Sequence, residues 1–106
     1  MERRRHTRYP LQIRAVFAWN GQREKRYQES GFTRDISIDG LFVLSSMSLP
    51  MGTDISLEVS FPAVEAGTPG LRLTFDGVVI RNVESSEDQG FAVTGVFRHY
   101  MSSIEM

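Results

Sequence analysis

Between Leu11 and Phe97, apolar and polar side chains alternate in short runs separated by Gly, Pro, Asn and Asp. A period of two belongs to the half-buried β-strand, whose successive side chains leave on opposite faces, so the pattern points to an all-β fold. Leu11, Ile13, Ala15, Phe17 and Trp19 share one face of a first strand, with Gln12 and Arg14 on the other. Asn20-Gly21 predicts a two-residue hairpin with positive φ at both positions. Arg23 to Ile38 reads as a second strand whose polar early part lies at a sheet edge, and Asp39-Gly40 as a turn before the short buried strand Leu41 to Leu44. After the break at Leu49-Pro50-Met51-Gly52, Ile55, Leu57, Val59 and Phe61 alternate with Ser56, Glu58 and Ser60. Pro62 to Gly70 is a loop. Leu71, Leu73 and Phe75 open a strand that continues from Val78 to Val83, with Asp76-Gly77 expected as a bulge. Glu84 to Gln89 is an acidic turn and Phe91 to Phe97 a last strand. Six or seven short strands with turns at roughly ten-residue spacing describe a small antiparallel barrel or sandwich. Only Arg98 to Met106 is expected to form a helical turn or two.

The 106 residues fit one domain with one core, and 41% hydrophobic residues suffice to pack it. Phe17 and Trp19 belong to that core. The sequence has no Cys, which excludes a disulfide scaffold, a thiolate zinc site and a thiol nucleophile. His6 and His99 are the only imidazoles and neither has a second His nearby, so no metal site is expected. No apolar stretch approaches the roughly 20 residues that span a bilayer, and no apolar run of a signal peptide follows the charged N-terminus, so the expected location is the cytoplasm.

A net charge of −1 conceals a strong asymmetry. Residues 1–26 carry eight basic side chains against two acidic ones, a net +6, whereas the other eighty carry four basic and eleven acidic, a net −7. This is the pattern of a basic arm for an anionic partner on a body that would repel it. Of the 12 basic residues 11 are Arg, whose planar fork recognises phosphate and guanine edges through paired hydrogen bonds. Residues 1–10 are read as a flexible basic arm and 11–106 as the single barrel domain.

Two motifs carry chemistry. Arg4-x-x-x-Arg8, inside Arg3-Arg4-Arg5-His6-Thr7-Arg8-Tyr9-Pro10, is weak alone, since roughly one such pair is expected by chance at this Arg content. Asp35-x-Ser37-x-x-Gly40 is more informative: with 5 Asp, 11 Ser and 9 Gly its chance expectation is only about 0.04. Read separately, the first suits a solvated or nucleic-acid-binding arm, and the second an Asx-turn whose side chains satisfy backbone N–H groups.

In this order and separation, the two motifs resemble the signature of the PilZ family, bacterial domains that bind the second messenger cyclic di-GMP. That signature is Arg-x-x-x-Arg in a segment before the first strand, followed some twenty to thirty residues on by Asp/Asn-x-Ser-x-x-Gly at a strand-to-strand turn. Arg4, Arg8, Asp35, Ser37 and Gly40 match it position for position, and Gly77-Val78-Val79-Ile80-Arg81 and Gly95-Val96-Phe97 look like the family's later strands. The resemblance implies an all-β, six-stranded antiparallel barrel, here with a short C-terminal helical turn where many members have a longer helix. It also implies a non-enzymatic receptor that regulates a downstream protein effector, with a homodimer among its forms, and no cofactor other than the ligand.

The chemistry of the residues agrees. The Hoogsteen edge of guanine presents the adjacent acceptors O6 and N7, which a guanidinium fork bridges, so Arg4 and Arg8 suit the ligand. Asp35 accepts from guanine N–H groups, Ser37 donates to a phosphate oxygen, and Gly40 permits positive φ or a close backbone approach. In the family, an Arg directly before the motif, here Arg3, accompanies binding of a stacked ligand pair. Asp39 reads as a turn residue, and Glu84, Glu87 and Asp88 as a solvated loop.

Rival classes explain less. Ser, His and Asp are present without a nucleophile elbow or a Gly-rich phosphate loop, so no enzyme is expected. A small barrel binding single-stranded nucleic acid would use the basic arm but needs exposed aromatic platforms, and the aromatic residues fall mostly at inward positions. The alternative within the family is a ligand-independent protein-interaction module.

Overall fold

The computed structural model describes residues 7–63, 66–67, 70–85 and 87–102. Seven strands form one antiparallel sheet: β1 (Tyr9–Pro10), β2 (Arg14–Asn20), β3 (Arg26–Ser37), β4 (Gly40–Leu44), β5 (Asp54–Phe61), β6 (Leu71–Val83) and β7 (Gly90–Ser102). The order β1-β3-β2-β5-β6-β7-β4, with β4 also pairing with β3, closes six strands into a barrel and leaves β1 as a short addition on β3. Closure leaves few unpaired strand edges, the hazard of a small open sheet. The early part of β3 pairs with β2 alone, the edge position its polar residues predict.

The alternating faces behave as the sequence indicates. Ala15, Phe17 and Trp19 of β2, Leu41 and Val43 of β4, and Ile55, Leu57 and Val59 of β5 point into one core with Phe75, Val79, Phe91 and Val93. Edge-to-face aromatic pairs lock strands distant in sequence, Phe17 to Phe91 at 5.1 Å between centroids and Phe75 to Phe97 at 4.8 Å. One barrel end opens as an apolar cleft of about 380 Å³ between Tyr9, Leu11 and Ile36 on one side and Phe61, Leu73 and Phe97 on the other. Among the described residues, no helix is long and apolar enough to cross a membrane.

Five local expectations are corrected. Asn20-Gly21 is not a two-residue hairpin: Gly21 has φ −102°, and residues 21–25 form a 3-10 turn in which Arg23 and Glu24 take φ of 58°. The cause is the stacking of Trp19 on Tyr27, 5.6 Å between centroids, which fixes the register Trp19↔Tyr27 and forces the longer loop. The turn after β3 is formed by Ile38 and Asp39, since Ser37 already pairs with Gly40. Leu11 leaves the ladder between β1 and β2 and is exposed. The C-terminal segment continues β7 as far as Ser102, paired with Leu71, so Arg98 to Ser102 make no helical turn, and residues 103–106 lie outside the described residues.

Asp76-Gly77 is not a bulge either. Asp76↔Val96 and Gly77↔Gly95 pair in regular register, and the irregularities fall on either side, between Thr74 and Phe75 and between Val79 and Arg81. Glycine is needed here because the strands approach closely: a Cβ on Gly77 would lie 2.3 Å from the Thr94 carbonyl oxygen, and one on Gly95 2.1 Å from that of Asp76. Gly77→Ala therefore forces two paired backbones apart, with an expected loss of about 1–3 kcal/mol. Urea denaturation monitored by Trp19 fluorescence checks this, and an unchanged midpoint would show that the pair yields freely.

Candidate functional site

The site begins with a break in alternation. In β3, Thr33 pairs with Val43 and Asp35 with Phe42, so Arg34 is an extra residue with no partner across the ladder. A bulge of this kind sends two adjacent side chains to the same side of the sheet. Thr33 and Ile36 remain buried on the core side, while Arg34 and Asp35 both leave on the outside, above Phe42. Phe42 is thus a fully buried phenylalanine outside the barrel core, covered by the Arg34 guanidinium 4.1 Å from its ring centroid.

The same bulge holds the N-terminal segment. Thr33 Oγ1 donates to the Leu11 carbonyl at 2.5 Å and accepts from Ile13 N–H at 3.0 Å, while Thr33 N–H donates to the Ile13 carbonyl at 2.8 Å. Leu11 N–H donates to the carbonyl of Arg34 at 3.1 Å. These bonds bend the chain between β1 and β2 and lay Tyr9↔Ile36 and Pro10↔Asp35 in register.

Arg8 arrives directly at Asp35. Its Nη1 donates to Asp35 Oδ1 at 2.5 Å, and the second oxygen, Oδ2, accepts from Arg34 Nε at 2.8 Å. Arg34 Nη1 also reaches Asp88 Oδ2 at 3.5 Å, so Asp88 does not belong wholly to a solvated loop. The Asp35 side chain is 14% exposed and that of Arg8 29%, a partly buried geometry in which charge-assisted bonds are stronger than on an open surface.

Ser37 lies two residues beyond Asp35 on the same side of the sheet. Its hydroxyl donates to Asp39 Oδ1 at 2.9 Å or to the Gly40 carbonyl at 3.2 Å. The Asp39 carbonyl accepts from Gly95 N–H at 3.0 Å and Thr94 Oγ1 at 3.2 Å, which clasps the turn onto β7. Gly40 does not take positive φ. Its requirement is space, since a Cβ would lie 2.9 Å from the Val93 carbonyl oxygen.

Of the sequence-derived site residues, the structure joins Arg8 to Asp35 and Ser37 to Gly40, while Arg3 and Arg4 lie outside the described residues. A groove of about 430 Å³ lies over Ala18, Ser56 and Gly77, and no residue of the two motifs lines it. Sequence reasoning missed Thr33, Arg34 and Phe42. The signal was available: with Ile36 inward, strict alternation would drive Arg34 into the core, and a charged residue at an inward position marks a bulge.

Comparison with known proteins places the chain. The family model described as PilZ domain matches residues 2–103, so the chain belongs to the PilZ domain family. No curated protein matches it. A solved structure of the Bacillus subtilis inhibitor of motility MotI/DgrA is similar, with a TM-score of 0.63 at 17% identity over 95% of this chain. The chain spans 45% of that protein, and at this identity the likeness concerns the fold.

Thr33→Val keeps the shape of the side chain but leaves the Leu11 carbonyl and Ile13 N–H without their hydroxyl partner. The expected cost is about 1–3 kcal/mol. Backbone amides of residues 8–13 should exchange faster by hydrogen–deuterium exchange while those of β6 and β7 change little; uniform behaviour would mean that another contact positions the segment.

Proposed function

We propose that this chain is a cyclic di-GMP receptor domain that passes the presence of the nucleotide to a downstream protein partner. The observation that carries the reading is the Arg8–Asp35 pair, which joins residues 27 apart in sequence and so unites the two motifs at one point on the barrel. Each guanidinium has five N–H donors in a fixed fork, and Asp35 engages one of them on Arg8 and one on Arg34. Arg34 Nη1 also reaches Asp88, and the remaining donors suit phosphate oxygens or guanine O6 and N7. Asp35 thereby orients two cations, and Ser37 and Gly40 shape the floor beside them. Arg4, with Arg3 preceding it, supplies the second fork of the clamp.

The mechanism we propose is capture of the nucleotide between the arm and the bulge, where Arg8 and β1 already stand in place and charge-assisted contacts supply the affinity. Tyr9 and Leu11 border the apolar cleft at the barrel end, so the segment that holds the ligand also forms one wall of a surface suited to a protein partner. One observation favours the ligand-independent reading: both oxygens of Asp35 already have partners within the chain.

Calorimetric titration with cyclic di-GMP decides between the two. Saturable binding is expected, with GTP and GMP much weaker because they lack the paired guanines and phosphates, and equal affinity for GTP would refute the site. Arg8→Ala should weaken binding by roughly 5- to 150-fold, the equivalent of one bidentate contact, with little change in the thermal midpoint. Gly40→Val should lower both affinity and stability. A mixed-sequence oligonucleotide should bind only weakly, with log affinity falling as salt rises.

A further inference from the structure

We infer that Arg34, which lies outside the two motifs, is a stacking platform for a purine of the bound nucleotide. The inference rests on the receptor reading above and adds a specificity-determining residue to it. The Arg34 Cζ stands over the Phe42 ring, 4.1 Å from its centroid, and Phe42 is fully buried, so that side of the guanidinium is filled. The edge is held at two points, by Asp35 at Nε and by Asp88 at Nη1. A planar cation gripped along its edge and backed by an aromatic ring has one face left, and the Arg34 side chain is 36% exposed.

Guanidinium planes stack on nucleobases, and a plane already fixed loses little further freedom when a base settles on it. The position is also suitable. Through the bulge, Arg34 shares the Asp35 carboxylate with Arg8, so a purine lying on Arg34 has the Arg8 fork beside it in reach of its Hoogsteen edge. Arg34, backed by Phe42, supplies a planar surface for a base that the inward-pointing phenylalanines cannot. Asp88 brings the β6–β7 connection into the same assembly.

Arg34→Lys retains the charge and removes the plane. Titrated with cyclic di-GMP by calorimetry, this variant should bind at least about fivefold more weakly than wild type, in line with the contribution of one stacked base. Asp88→Asn loosens one tether and should give a smaller loss in the same direction. In wild type, the Arg34 Nε–H proton should shift upfield on saturation, as the ring current of an added purine requires. If Arg34 only roofs Phe42, Arg34→Lys lowers the thermal midpoint, leaves the dissociation constant unchanged and the proton does not move; that result overturns this inference and leaves the receptor reading intact. Absence of binding by wild type itself overturns both.

Discussion

The hydroxyl of Thr33 is the interaction on which the arrangement of the site depends. It sits within the core, fully buried, and serves two backbone groups of the chain that crosses between β1 and β2. A buried backbone N–H or C=O without a partner costs as much as a lost hydrogen bond, so the crossing chain has one low-energy path past β3. That path delivers Arg8 to Asp35. The neighbouring bulge delivers Arg34 to the same carboxylate from the other side. Backbone economy inside the barrel thus determines which charges meet outside it.

Electrostatics then has little freedom left. A strongly basic N-terminal segment is attached to an acidic body, and the two meet at a carboxylate that is mostly withdrawn from water. Two guanidiniums converge on that carboxylate, and Asp88 is a second, longer partner of Arg34. Phe42 adds a hydrophobic base to this charged surface, and the Arg34 guanidinium rests over its ring.

Most of the barrel was legible because period-two patterning is a direct consequence of one buried face, and Ala15, Phe17, Trp19, Ile55, Leu57 and Val59 obey it without exception. What escaped depends on contacts between strands. The Asn20-Gly21 signal was overridden by Trp19 stacking on Tyr27, and the glycine of Asp76-Gly77 answers to the backbone of β7 opposite rather than to its own conformation. Asp35, Ser37 and Gly40 could be picked out because their spacing is rare. Arg34 and Phe42 have no spacing to betray them: they become neighbours only after β3 bulges and β4 pairs with it.

The clasp of Asp39 on Thr94 and Gly95 joins parts of the chain 55 residues apart. It lies beside the β4–β7 ladder, one of the seams that shuts the barrel, where the entropy lost in bringing distant segments together is large. A nucleotide held beside this seam, as proposed, would bind the closed chain and not the open one, and so would draw molecules out of the unfolded pool by mass action. Cellular proteases sample that pool. On the proposed receptor function, the lifetime of the chain would lengthen as the messenger accumulates, so its quantity, as well as its occupancy, would carry a memory of past signal.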